Sequence, residues 1–228
     1  MNYTELRKKL EIPPIPGRKR AILISTGSFC PIHKGHLQNI DLAAKFLSKK
    51  FKIHTLVAYI SPSCDSYVSH KLGNESIPYT HRFEMVKLAC AAHNSDYNTI
   101  PIIPDSWEGT QPNFVPFDQV LRRFQHNIKH DFPHEHLLVL YVSGADHFNK
   151  RKLYKNRDYV GISRIGYEIK GHSSIRRNIY ICREERYAKY FSDISSTAIR
   201  NARANGQSID EYTYYPVVKY LQEVLHRI

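Results

Sequence analysis

Apolar positions along the chain follow two alternating rhythms. Ala21-Ile22-Leu23-Ile24-Ser25 is a nearly continuous apolar run bounded by Arg20 and Gly27, the pattern of a buried strand. After His36, Leu37, Ile40, Ala44, Leu47 and Phe51 recur at spacings of three and four, which is the stripe of an amphipathic helix. The alternation continues. "KIHTLVAYIS" (52–61) predicts a doubly covered strand, and "YTHRFEMVKLACAAH" (79–93) a helix with Thr80 as its cap and Phe83, Val86 and Cys90 on one face. "NTIPIIPDSWEG" (98–109) predicts a short third strand, "FDQVLRRFQHNI" (117–128) a helix, and "HLLVLYVSGAD" (136–146) the most apolar strand. "DYVGIS" (158–163) and "NIYICR" (178–183) add two strands. One closing helix begins near "SSTAIRNARANG" (195–206); another runs from Pro216 through Val217, Leu221, Val224 and Ile228. "SPSCDSYVSHKLGNES" (61–76) reads as a long loop. Strands alternating with helices predict an α/β domain with a mostly parallel sheet.

In such a sheet the turns that leave the carboxyl ends of strands lie along one edge, where ligands bind. Three of these turns carry unusual polar residues: 27–36, 61–76 and 144–150. They are expected to converge on one site.

A length of 228 residues suits a single core over 21–228, with residues 1–20 as an N-terminal extension. The prolines and basic residues of "IPPIPGRKR" suggest a solvated lead-in. No apolar run is long enough to span a membrane, and the N-terminus lacks a secretory apolar segment, so the expectation is a soluble cytoplasmic or nuclear protein with no membrane partner. Cys30, Cys64, Cys90 and Cys182 form no C-x-x-C pair, which points to reduced thiols rather than a disulfide framework or a zinc cage. The His-rich "HDFPHEHL" (130–137) lacks the spacing and thiols of a metal site, so no protein-held metal is expected. The formal charge of +12 calls for an anionic partner: nucleic acid, a membrane surface or a phosphorylated small molecule.

Residues of the first turn favour the last of these. Gly27 removes a side chain where backbone must approach a ligand, and Ser28 and Phe29 place amides ahead of a helix N-terminus, a ready anion site. His33 and His36 stand at the mouth of that helix, where imidazole nitrogens can donate to phosphate oxygens and a nearby anion raises the protonated fraction. "DISSTAIR" implies a second anion site. Ser195, Ser196 or Thr197 can cap the helix, and Arg200 lies one turn in, where its guanidinium can grip two oxygens.

"GSFCPIHKGH" with "ISSTAIR" resembles the paired signature of nucleotidylyltransferases bearing the HxGH motif. "SPSCDSY", "DSWEGTQ", "VLRRFQH" and "SGAD", in that order, are similar to the eukaryotic-type nicotinamide/nicotinate mononucleotide adenylyltransferases, from about residue 21 to the end. The resemblance implies a Rossmann-like, doubly wound sheet with helices on both faces. It implies adenylyl transfer from ATP to nicotinamide or nicotinate mononucleotide, forming NAD or deamido-NAD and pyrophosphate. Mg2+ would enter on the ATP phosphates, which suits its preference for water and phosphate oxygens. No covalent intermediate is expected, because phosphoryl and nucleotidyl transfers need positioning and charge neutralisation.

By the same resemblance His36 contacts the ATP phosphates, His33 assists, and Gly27, Ser28 and Phe29 line the crevice. Ser195, Ser196, Thr197 and Arg200 hold ATP and its β- and γ-phosphates. Gly144 and Asp146 bind adenosine and the pyridine-side ribose. Trp107 stacks on the pyridine ring, and the Thr110 amide reads its carboxamide or carboxylate. Ser28 also serves the mononucleotide, and Lys71 is the phosphate-binding lysine. A second ring that follows "GAD" in the family is not a tryptophan here, and Tyr154 is the substitute. His33 replaces a threonine common in eukaryotic members, and the loop between Tyr67 and Tyr79 is longer than usual. Another HxGH-type transfer, to phosphopantetheine or a headgroup phosphate, is the alternative within the superfamily. Outside it stands a nucleic-acid-binding protein with interleaved Tyr180, Arg183, Arg186, Tyr187 and Tyr190. Oligomeric state and the amide-or-acid preference stay open.

Overall fold

Runs rich in Val, Ile and Leu pair side by side because a doubly covered sheet buries them on both faces. In the computed structural model, described for residues 1–96, 100–150, 157–163, 168–170, 179–183 and 194–224, six such strands form one parallel sheet. They are β1 (Lys19–Gly27), β2 (Ile53–Pro62), β3 (Ile102–Pro104), β4 (Leu137–Gly144), β5 (Asp158–Ile162) and β6 (Ile179–Cys182), in the order β3-β2-β1-β4-β5-β6. Register is parallel throughout; Leu23 faces Ala58 on one side and Leu140 on the other. This is the doubly wound, Rossmann-like order, whose direction reverses between β1 and β4 and leaves a crevice beyond their carboxyl ends.

Alternation along β1 separates the two cores. Ala21 and Leu23 pack under α2 (Lys34–Phe51) and α4 (Tyr79–Asp96), with Leu37, Ile40, Leu47, Met85, Val86 and Ala89. Ile22 and Ile24 face the other layer, with α5 (Phe117–Asp131) contributing Val120, Leu121 and Phe124. α7 (Ser196–Ala204) and α8 (Tyr215–Glu223) join the first layer through Ile199, Val217 and Leu221. A short α6 (Ala145–Lys150) follows β4 directly and packs Phe148 into the second.

Four local expectations are corrected. The stretch 61–76 is not a loop: α3 (Asp65–Leu72) and a 3-10 turn (Gly73–Glu75) occupy it, and Val68 is the one residue of α3 that is buried. Thr80 lies inside the first turn of α4, and the Pro78 carbonyl accepts from the His81 and Arg82 amides in place of a side-chain cap. Phe51, expected on the buried stripe, is exposed and meets Phe46 and Tyr180 edge-on. Within the expected lead-in, α1 (Thr4–Leu10) docks Leu6 into the second core, and β1 begins at Lys19. The third strand is limited to Ile102–Pro104, and the part of that stretch at 98–99 lies outside the described residues. Tyr154, Arg186, Tyr187, Tyr190 and Ile228 also lie outside them. All four cysteines are buried thiols. Among the described residues no helix is long and apolar enough to cross a membrane.

Candidate active site

The turn after β1 is shaped by its rings. A Cβ on Gly27 would come within 3.1 Å of the Phe29 ring, so that ring would have to give by a few tenths of an ångström to admit a side chain. Phe29 itself holds a φ of 43°, a conformation that side chains rarely adopt and that tends to occur at working sites. Its ring meets the His36 imidazole edge-on at 4.8 Å, and the imidazoles of His33 and His36 stack with centroids 3.6 Å apart.

His33 is the N-cap of α2, and its amide donates to His36 Nδ1 at 3.1 Å. A ring nitrogen that accepts cannot carry a hydrogen, so Nε2 carries it and becomes the donor. With Nδ1 accepting from the His33 amide, Nε2 is the ring nitrogen placed to donate.

The late motif meets this turn directly. Ser195 caps α7 by accepting from the Ala198 amide at 3.0 Å, which leaves the Ser196 and Thr197 amides in the unpaired first turn of the helix. Ser196 Oγ donates to Pro31 O at 2.8 Å, and Arg200 Nη1 donates to Cys30 O at 2.9 Å, joining segments 165 and 170 residues apart. Thr213 Oγ1 donates to Ile32 O at 2.9 Å and completes the clamp. Arg200 is further held through Nε by Glu75 at 2.7 Å and reaches Thr197 Oγ1 at 3.3 Å.

Between these segments lies a cleft of about 350 Å³ at the point where strand order reverses. Its lining brings together Gly27, Ser28, Phe29, His33, His36 and Lys71 from the first half of the chain. Gly144 and Asp146 join them from the end of β4, with Ser195, Ser196, Thr197 and Arg200 from α7. Among the described residues a Cβ on Gly144 would meet only Asn39, at 3.9 Å, so it would stand in the cleft itself.

A smaller chamber of about 50 Å³ opens beside the cleft, sharing Gly27, Ser28, Lys71 and His147 with it. Tyr67, Phe114 and Phe117 give it aromatic walls. Lys71 stands at the junction, Nζ donating to Ser28 Oγ at 3.4 Å.

Trp107 and Thr110 are placed elsewhere. Neither lines the cleft or the chamber. One face of Trp107 is covered by the Arg123 guanidinium, 4.6 Å from the ring centroid, which Asp105 fixes at 2.8 Å. The Thr110 amide donates to Ser106 O at 3.2 Å.

Residues 24–202 match the profile of a family described as cytidylyltransferase-like. The chain belongs to the cytidylyltransferase-like family. Nicotinamide/nicotinic acid mononucleotide adenylyltransferase 2 of Saccharomyces cerevisiae is 26% identical over 245 residues, covering 96% of this chain and 58% of the yeast protein. The nicotinamide/nicotinic acid mononucleotide adenylyltransferase of Arabidopsis thaliana is 27% identical over 223 residues, covering 89% and 87%. Among solved structures, the Plasmodium falciparum nicotinic acid mononucleotide adenylyltransferase complexed with APC superposes with a TM-score of 0.61 at 16% identity, covering 89% of this chain and 94% of that one. The chain therefore spans a little over half the length of its yeast relative.

Three residues of this cytidylyltransferase-like site had no signal in the sequence. Arg82, fully buried on the apolar face of α4, donates to Ile77 O, Ser28 O and Asp65 and so ties the β1 turn to α3. Glu75 anchors Arg200 from a distant turn. Glu108, the neighbour of Trp107, is 1% exposed and forms part of the chamber wall.

Burial pushes the Glu108 carboxyl from 4.5 up to about 7, a rise opposed by hydrogen bonds from the Ser63 and Ser61 hydroxyls and assisted by the Asp105 charge. Because the folded value is raised, this group's contribution to stability is complete below about pH 4.5 and is lost as pH rises through 7. The two values put the loss at about 3 kcal/mol. Urea unfolding at pH 5 and pH 8 should show Glu108→Gln gaining on the wild type by that amount at the higher pH. Parallel pH dependences in the two proteins would contradict the burial argument.

Proposed function

We propose that the chain transfers the adenylyl group of ATP to nicotinamide mononucleotide or nicotinate mononucleotide, giving NAD or deamido-NAD and pyrophosphate. The observation that carries this reading is the single cleft in which His36 and the first turn of α7 face each other, with an aromatic chamber opening beside it. The names of the yeast and plant relatives support it.

In the reaction a phosphate oxygen of the mononucleotide attacks the α-phosphorus of ATP. The bond from that phosphorus to the bridging oxygen breaks, and pyrophosphate leaves with the electron pair. The protein's part is to hold both phosphates in line and to meet charge as it develops. His36 Nε2–H donates to a phosphate oxygen, with His33 fixing its tautomer. The Ser196 and Thr197 amides, at the positive end of α7, and the Arg200 guanidinium receive the β- and γ-phosphates. Among the described lining residues of the cleft Asp146 is the one carboxylate, which suits a role toward ribose hydroxyls, while Gly144 leaves room for adenosine.

Lys71, between cleft and chamber, meets the mononucleotide phosphate beside Ser28. The pyridine ring enters the chamber among Tyr67, Phe114 and Phe117, with Trp107 and Thr110 behind its wall and Tyr154 kept as a further candidate ring. Magnesium, when bound through the ATP phosphates, would offset part of the charge that the Ser196 and Thr197 amides and Arg200 otherwise meet.

The catalytic domain begins with β1 at Lys19 rather than at residue 21, and the residues before it are an extension whose α1 docks Leu6 on the sheet. Buried thiols suit a reducing compartment, cytoplasm or nucleus.

The test is a panel of acceptors with ATP and Mg2+, reading pyrophosphate release and the dinucleotide formed. Turnover with either pyridine mononucleotide is expected. Turnover only with phosphopantetheine or a headgroup phosphate would replace this reading by another family chemistry.

A further inference from the structure

We infer that Glu75 is a positioning residue for the triphosphate, holding Arg200 from outside the cleft so that the guanidinium meets the β- and γ-phosphates in one fixed orientation. The inference rests on the adenylyl transfer proposed above. Arg200 lines both the phosphate cleft and a second cavity of about 800 Å³, whereas Glu75 lines only the second. The carboxylate therefore grips the arginine without standing among the phosphates.

Glu75 ends the 3-10 turn Gly73–Glu75, and its carboxylate accepts from Arg200 Nε at 2.7 Å. The turn is tied down by the same residue that helps to hold the arginine. Cys30 O accepts from Arg200 Nη1 at 2.9 Å, while Cys30 Sγ donates to Glu75 O at 3.6 Å and accepts from the Ile77 amide at 3.3 Å. Cys30, Arg200 and Glu75 thus close a ring of contacts that joins the β1 turn, α7 and the 3-10 turn.

A guanidinium has five N–H groups. Three of those on Arg200 are given to Glu75, Cys30 O and Thr197 Oγ1, so among the described residues two remain, one on each Nη. Two donors in a planar fork are what a pair of phosphate oxygens takes. Fixing an arginine costs rotamer freedom, and here that loss precedes phosphate binding.

The ion pair itself contributes little to stability, because the Glu75 side chain is 60% exposed and water screens such pairs. Its effect belongs to substrate handling, where two consequences oppose each other. Orientation of the fork strengthens the hold on phosphate. A carboxylate beside the guanidinium also offsets part of its charge and so weakens that hold. The sign of the effect decides which role Glu75 has.

The test is calorimetric binding of a non-hydrolysable ATP analogue with Mg2+ to the full chain, alongside steady-state kinetics with the pyridine mononucleotide. Glu75→Ala should weaken analogue binding and lower kcat/KM for MgATP, each about tenfold, the scale of one hydrogen bond between charged groups. KM for the mononucleotide and the unfolding midpoint should stay close to those of the wild type. Glu75→Gln, whose amide oxygen still accepts from Nε, should recover most of the loss. In an Arg200→Ala background Glu75→Ala should cost nothing further, since the residue acts through the arginine.

Tighter analogue binding in Glu75→Ala overturns the inference, because charge then outweighs orientation. An equal loss with and without Arg200, or unchanged affinity and kinetics, also overturns it. A chain that binds the analogue yet transfers to neither mononucleotide fails the proposed function, while the calorimetric comparison still judges Glu75. Transfer that Glu75→Ala leaves untouched overturns this inference alone.

Discussion

Replacing His36 by alanine should lower turnover by about 10²- to 10³-fold while leaving the unfolding transition nearly unchanged, the range found when one preorganised donor to a developing charge is removed. The imidazole is half-buried and lines the cleft, and its Nδ1 is occupied by the His33 amide. Its Nε2–H is thus aimed without a further choice of tautomer, which makes the donor preorganised. Loss should fall on kcat more than on KM, because the interaction strengthens as charge develops on the phosphate oxygens. His36→Asn, which keeps a donor on a shorter side chain, should recover part of the rate. Steady-state kinetics with the pyridine mononucleotide and MgATP measure both variants, and full activity in His36→Ala would remove the residue from the mechanism.

The second large effect is on stability. Arg82→Ala should cost about 3 kcal/mol, the sum expected from stranded buried acceptors and a cavity. For a chain of this size that corresponds to a fall in Tm of roughly 10 °C. The guanidinium is wholly buried and donates to Ile77 O at 2.8 Å, Ser28 O at 2.8 Å and Asp65 at 2.9 Å. Asp65 is half-exposed and regains water when the arginine goes, so most of the cost comes from the two carbonyls and the space left on α4. Arg82→Lys should restore little, since a single ammonium cannot span three acceptors held by a planar fork. Because one of those acceptors belongs to Ser28, activity should fall along with stability. Denaturant unfolding paired with kinetics would show this, and a stable Arg82→Ala would mean that the β1 turn is held by something else.

The sheet was legible because its strands are short runs of Val, Ile and Leu closed by Gly27 and Gly144, and because helical stripes separate them. The α3 helix was not, since Val68 alone turns inward and the surrounding Ser, Gly and Asn residues read as loop. His33, His36 and the Ser195–Arg200 segment stood out because residues of that chemistry recur beside strand ends and helix starts. What the histidines do to each other did not: the tautomer of His36 is set by an amide three residues away, a matter of geometry. Glu75 and Glu108 act through partners distant in sequence, Arg200 and Ser63, and no local pattern announces either pair. Arg82 looks like a polar interruption in an apolar face until the carbonyls it serves are seen.

In the proposed reaction one triphosphate is held at the same time by the early imidazole and the late helix. A crystal structure with a non-hydrolysable ATP analogue tests it most directly. A phosphate oxygen should lie within hydrogen-bond distance of His36 Nε2, and others on the Ser196 or Thr197 amides and Arg200. A triphosphate bound away from either segment would contradict it.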